Sequence, residues 1–147
     1  IDINLQFFNN WKNKPSKNFD KLTILINKSD GIILATPVHW NNVSALMKNF
    51  IDYLTYLEIK GFKLEGKVAG FIAVADTDGA WKTILDMSGP LNHMGMIIPP
   101  YSMLFQNKNL KKTEKNWENK DVGLLAKNMI RMALITKIKK WGYHKEI

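Results

Sequence analysis

The chain has no cysteine, which excludes disulfides, zinc–thiolate centres and cysteine nucleophiles and fits a reducing compartment. Arginine is nearly absent too, with Arg131 the single one among 21 basic residues. No apolar run reaches the ~18 residues a membrane-spanning helix needs, so no membrane partner is expected. There is no Walker loop, no HExxH and no Ser–His–Asp arrangement. Asp76 and Asp78 could pair on a metal, but no third ligand accompanies them, so no metal site is expected. The first residue is Ile1, and nothing before the fold reads as a signal peptide; a cytoplasmic setting follows as an expectation.

What is present fits one domain spanning 1–147, with 46% hydrophobic and 23% charged residues. The net charge of +8 raises the question of nucleic acid. Nucleic-acid binders gather basic residues on one face with aromatics between them. Here the lysines fall at Lys12 to Lys17, Lys108 to Lys120 and Lys137 to Lys145, which reads as a solvated surface. No nucleic-acid partner is expected.

Hydrophobic periodicity then orders the chain. Residues 1–8 alternate with period two and predict a strand, and the following polar segment reads as loop. Phe19 to Lys28 has helical spacing. Gly31 to Ala35 is a continuous apolar run suited to a buried parallel strand, ended by a turn at Thr36-Pro37. From Val43 to Leu57 apolar residues recur as one helical stripe, with Asn41 or Asn42 as its cap and Lys48 four residues before Asp52. Gly61 to Gly66 is a turn-rich connection. Lys67 to Asp76 is a second buried strand, and a helix over Ala80 to Met94 should bend or break at Gly89-Pro90. Met96 to Ile98 begins a third strand that Pro99-Pro100 stops. Lys108 to Lys120 reads as a charged loop, and a last helix runs from Asp121 to Lys140 with Val122, Leu125, Ala126, Met129, Ile130 and Ala133 inward. This alternation predicts an α/β fold, a parallel sheet with helices on both faces.

Such sheets bind ligands beyond the carboxyl ends of their strands. Two loops qualify. Thr36, Pro37, Val38, His39, Trp40 and Asn41 offer a hydroxyl, backbone amides and two ring faces. Asp76, Thr77, Asp78 and Gly79 form the other, with Gly79 permitting close approach of backbone to ligand. A planar heteroaromatic ring with carbonyl edges suits the space between them. Trp40 packed over its helix, and His39 as a surface residue, are the plainer readings of the same side chains.

The segment DGIILATPVHWNNVSALMKNFID, from Asp30 to Asp52, resembles the flavin-contacting strand–loop–helix of the flavodoxin-like NAD(P)H-dependent FMN reductases and quinone reductases. The match runs through Thr36, Pro37, Val38, His39, Trp40, Ser44, Lys48, Phe50 and Asp52. DTDGAWKTILDMSGPLNHMGMIIPPYS resembles that family's second flavin loop, its helix and a G-M-x-I-P-P-Y strand from Gly95 to Tyr101. The resemblance covers about residues 20–140. It implies a flavodoxin-like three-layer α/β/α sandwich and FMN as cofactor, its isoalloxazine ring held by Thr36 to Asn41 and bordered by Asp76 to Gly79. NADH or NADPH would be the reductant, a quinone, flavin or similar small molecule the electron acceptor, and a homodimer the assembly. No side chain is implied as a catalytic proton donor. Tyr53 stands where the family has arginine. The family's opening strand, its G-S-x-R phosphate loop and its first helix have no counterpart, and residues 1–28 align with the second strand and helix. The chain is therefore expected to be the C-terminal part of a longer protein. A place for residues 1–8 as the central strand, with Lys14, Ser16 and Lys17 near a phosphate, is the other option. The alternative function is a flavin-free binding or dimerisation module.

Overall fold

A computed structural model describes residues 5–9, 15, 17–107 and 112–136, with the side chains of residues 107 and 112–119 left aside. Its elements are α1 (Lys17–Lys28), β1 (Gly31–His39), β2 (Asn42–Val43), α2 (Ala45–Ile59), β3 (Val68–Ala75), α3 (Ala80–His93), β4 (Met103–Asn107) and α4 (Lys112–Thr136). The sheet order is β2-β1-β3-β4. The long pairings are parallel, with Gly31 opposite Val68 through Pro37 opposite Val74, and Phe71 opposite Met103 through Ala75 opposite Asn107. The α/β class and the parallel sheet expected from the alternation are therefore present.

Two apolar clusters lie on the two faces of β3. Ala69, Phe71, Ala73 and Ala75 join the larger one with residues of α1, α2 and α3, among them Phe19, Leu54, Leu57, Ile84, Met87 and Leu91. Val68 and Ile72 join the smaller one with Leu125 and Met129 of α4. That alternation is the two-residue period of a strand covered on both sides. Fully burying a leucine or phenylalanine contributes about 1.5–3 kcal/mol. The exposed Lys48–Asp52 pair, at 2.6 Å, contributes only ~0.3 kcal/mol. Burial, not charge, positions α2.

Several expectations need correction. Residues 5–9 form no strand. Instead the buried amide of Asn49 holds them, accepting from the Phe8 N–H at 2.7 Å and donating to the Gln6 carbonyl at 3.0 Å. Residues 1–4, with most of the polar segment after residue 9, lie outside the described residues. The first strand does not stop at Ala35; β1 runs through Thr36-Pro37 to His39. A proline is tolerated there because no strand among the described residues pairs with that side of β1 at Pro37, so no N–H is demanded of it. On that edge β2 pairs only with Val38 and His39, and among the described residues no strand lies beside 31–37.

Helix α3 continues through Pro90, since Met87 and Leu91 are locked in the core on either side. The expected strand at Met96 to Ile98 reduces to one bridge, Ile97 with Val68. The strand that matters, β4, begins after the prolines: Pro99-Pro100 cannot donate, Tyr101 takes φ 56°, and pairing resumes with the Phe71 N–H donating to the Ser102 carbonyl at 2.7 Å. Helix α4 starts at Lys112, inside the segment read as charged loop, and its described part ends at Thr136. Of its expected inward residues, Leu125 and Met129 are buried, whereas Val122 and Ile130 are exposed.

Candidate functional site

The end of β1 is built as a tight hairpin. β1 and β2 are joined by two residues, Trp40 and Asn41, with φ 51° and 59°. Two positive φ values in a two-residue loop are the type I′ geometry, whose twist matches the strands. Asparagine is at ease there. Tryptophan is not, because the left-handed region crowds its Cβ. The strained turn holds the Trp40 ring fully in solvent.

Below the tip, a small polar knot fixes the hairpin to α2. Ser44, not Asn41 or Asn42, caps the helix, accepting from the Met47 N–H at 3.2 Å. Asn42 instead accepts from the Val43 N–H at 2.8 Å. The Thr36 hydroxyl is buried, donating to the Pro37 carbonyl at 3.0 Å and lying 3.1 Å from the Ser44 hydroxyl. It positions the hairpin and faces no solvent. His39 and Asn41 are exposed, with Pro37 exposed and Val38 half-buried beneath them.

The second loop arrives from β3. Asp76, Thr77 and Asp78 are exposed, and Gly79 begins α3 with φ 82°. A Cβ on Gly79 would stand 2.8 Å from the Asn41 Cα and closer still to its side-chain oxygen. Only glycine lets the two loops touch. The sequence-expected residues of both loops are thus brought together at the carboxyl end of the sheet, with Thr36 behind them as support.

Two aromatic residues beside this junction escaped the sequence reading. Trp81 and Phe105 are 52% and 61% exposed, with ring centroids 6.5 Å apart at 71°. Trp81 falls off the buried stripe of Ala80, Thr83, Ile84, Met87 and Leu91, and that spacing was the available signal. Phe105 had none once its strand was placed too early. Tyr53, where the resemblance leads one to expect arginine, is buried in a ring cluster with Phe8, Phe19 and Tyr56. Burial and the neighbouring Tyr53 push the Tyr56 phenol above its ordinary pKa. Among the described residues no group of three His, Asp or Glu comes together as a metal site. No helix among them is long and apolar enough to cross a membrane.

The sequence pattern of the family described as NADPH-dependent FMN reductase matches residues 2–109, which takes in both loops and β4. The chain belongs to the NADPH-dependent FMN reductase family. Within this family setting, an NAD(P)H dehydrogenase (quinone) of Geobacter sulfurreducens is 32% identical over 103 residues, covering 65% of this chain and 50% of that protein. An iron-sulfur flavoprotein of Methanocaldococcus jannaschii is 39% identical over 67 residues, covering 45% of this chain and 34% of that one. The chain thus spans between a third and a half of the length of these two relatives. Among solved structures, RosB, with a bound formylated riboflavin phosphate intermediate, superposes with a TM-score of 0.77 at 18% identity, over 98% of this chain and 66% of that one. An oxidoreductase from Corynebacterium diphtheriae gives 0.68 at 21% identity, over 82% and 64%. These likenesses establish the flavodoxin-like fold of this FMN reductase family member.

Proposed function

We propose that the protein is an FMN-dependent NAD(P)H oxidoreductase that passes electrons from a reduced nicotinamide through bound flavin to a quinone, a free flavin or a similar acceptor. The observation that carries this reading is the contact of Gly79 with Asn41, which joins the hairpin tip and the Asp76–Gly79 loop into one ledge at the carboxyl end of the sheet. The ledge suits the ring half of FMN. Trp40 supplies an exposed face for stacking, the turn amides supply hydrogen-bond groups for the carbonyl edges, and the N-terminus of α3 points its positive end at the same place. Pro37, Val38 and His39 complete the wall on the hairpin side, and Thr36 holds it through Ser44. FMN held there would supply hydride chemistry between NADH or NADPH and the acceptor, while the two loops bind and orient its ring. The names of the relatives, a quinone dehydrogenase and an iron-sulfur flavoprotein, support this class of chemistry. The same reading pairs two copies of the chain and puts the reaction in the cytoplasm, where reduced nicotinamide is supplied.

The test is flavin titration of the protein and of a Trp40→Gly variant, followed by fluorescence. Trp40→Gly relieves a left-handed tryptophan, so stability should rise by about 0.5–1 kcal/mol. FMN affinity should fall by about threefold to tenfold with the lost stacking face. A protein that ignores FMN in both forms would instead favour the flavin-free binding module.

A further inference from the structure

We propose that the cleft between the Asp76–Gly79 loop, Trp81 and Phe105 is a binding subsite for a flat, uncharged aromatic molecule of one or two fused rings, the quinone class of acceptor. Its position is the first support. The cleft opens at the carboxyl ends of β3 and β4, and Thr77, Asp78 and Gly79 belong both to its lining and to the ledge already described. A ligand seated there touches the loop that borders the proposed flavin ring.

Size and chemistry narrow the occupant. The cavity is about 180 Å³, below the ~300 Å³ at which pockets begin to hold drug-sized ligands. One or two rings fit, and a dinucleotide does not. Trp81 and Phe105 stand edge-to-face, so they form two walls at a steep angle with part of each ring left in water. Covering large aromatic surface is what a flat apolar ligand does best. Among the described residues charge argues against an anion: Asp78 is an exposed carboxylate on the rim, and the cation next along, Lys82, is drawn to Asp86 at 2.6 Å. Ala75 and Gln106 also belong to the lining.

A larger apolar groove of about 410 Å³ lies between β1 and α4, lined by Ile33, Val68, Met129, Ile130 and Leu134. It also takes in Asp30 and Gly31, at the start of β1, so it sits at the other end of the sheet from the loops. That groove supplies the internal control for a ligand that merely seeks apolar surface.

The subsite's role in turnover rests on the flavin reading, whereas binding of the ring does not. Equilibrium dialysis of menadione, a neutral two-ring quinone, is measured with the protein and with Trp81→Ala, Phe105→Ala, Trp81→Phe and Ile130→Ala, each with and without saturating FMN. FMN affinity is measured separately by flavin fluorescence, and folding by circular dichroism. Menadione binding should weaken about threefold to tenfold in Trp81→Ala and in Phe105→Ala, the range of a lost aromatic contact. Trp81→Phe and Ile130→Ala should stay within about twofold, as should FMN affinity in all variants. If Trp81→Ala fails to fold, Phe105→Ala and Trp81→Phe carry the comparison. Unchanged menadione binding in the aromatic variants overturns the proposal, as does loss confined to Ile130→Ala or displacement of menadione by FMN. Menadione behaving as expected in a protein that does not bind FMN supports the subsite and removes the flavin reading.

Discussion

Gly79→Ala tests the junction of the two loops most directly. At φ 82° an alanine sits in a left-handed conformation, which costs about 1–2 kcal/mol for a residue with a Cβ. The new Cβ also meets the Asn41 backbone at 2.8 Å, and backbone cannot rotate away as a flexible side chain can. Forcing the hairpin tip to move adds about 1 kcal/mol, the low end of overpacking costs. The reduced freedom of the unfolded chain returns about 0.4–1 kcal/mol. The net loss is then about 2 kcal/mol, or roughly 4–8 °C in Tm for a chain of this length. Urea and thermal unfolding would measure it, with FMN titration alongside, since the displaced tip carries Trp40. The double variant with Asn41→Gly removes the side-chain part of the collision but neither the contact with the Asn41 Cα nor the backbone strain, so it should recover less than about 1 kcal/mol. A Gly79→Ala protein as stable as its parent would refute the argument from both φ and contact.

Three further outcomes follow from the same geometry. The Thr83 hydroxyl is fully buried without a hydrogen-bond partner among the described residues, so Thr83→Val should stabilise the fold by about 1 kcal/mol in denaturant melts; a loss instead would mean the hydroxyl has found a partner. Asn49→Ala removes both bonds that hold residues 5–9 and should cost about 2 kcal/mol, with faster amide exchange at Phe8; unchanged exchange there would count against the tether. The Tyr56 pKa is raised in the fold, so its contribution is complete below the unfolded value of 10.0 and is lost as pH rises through the folded one. Stability should therefore fall above pH 10.0 and fall less steeply in Tyr56→Phe, and parallel alkaline curves would contradict that cause.

The elements with strong periodicity were readable in advance. The runs around β3 and α2 alternate or repeat because each residue is sorted by which face it buries, and Phe71, Leu54 and Leu57 are where the pattern put them. Elements governed by single backbone groups were not. Pro37 reads as a strand stop unless the strand has a free edge, and Pro90 reads as a helix break unless Met87 and Leu91 hold both halves. The β4 strand was displaced because the apolar run before Pro99 looks more strand-like than the segment that pairs. Of the candidate site, the placement of the two loops at the strand ends was legible from their positions after strands. Their contact was not, because it depends on one glycine and on a turn whose first central residue is a tryptophan. Buried Thr36 shows the limit of composition: a hydroxyl beside a loop looks available until its partner Ser44 is placed.

Among the described residues no strand pairs with the outer side of β1 over Gly31 to Pro37, and this has a consequence for handling the protein. Sheet edges in soluble proteins are guarded by charge, by bulges or by proline, since a bare row of N–H and C=O groups recruits any extended chain. Over Gly31 to Val38 there is no charged residue, and Pro37 is the one guard in the run. The apolar side chain of Ile33 is half in water on the same strand. In concentrated solution such a strand acts as an adhesive, so clouding should set in well before the fold melts, and a lysine at Ile33 is the change to make before growing crystals.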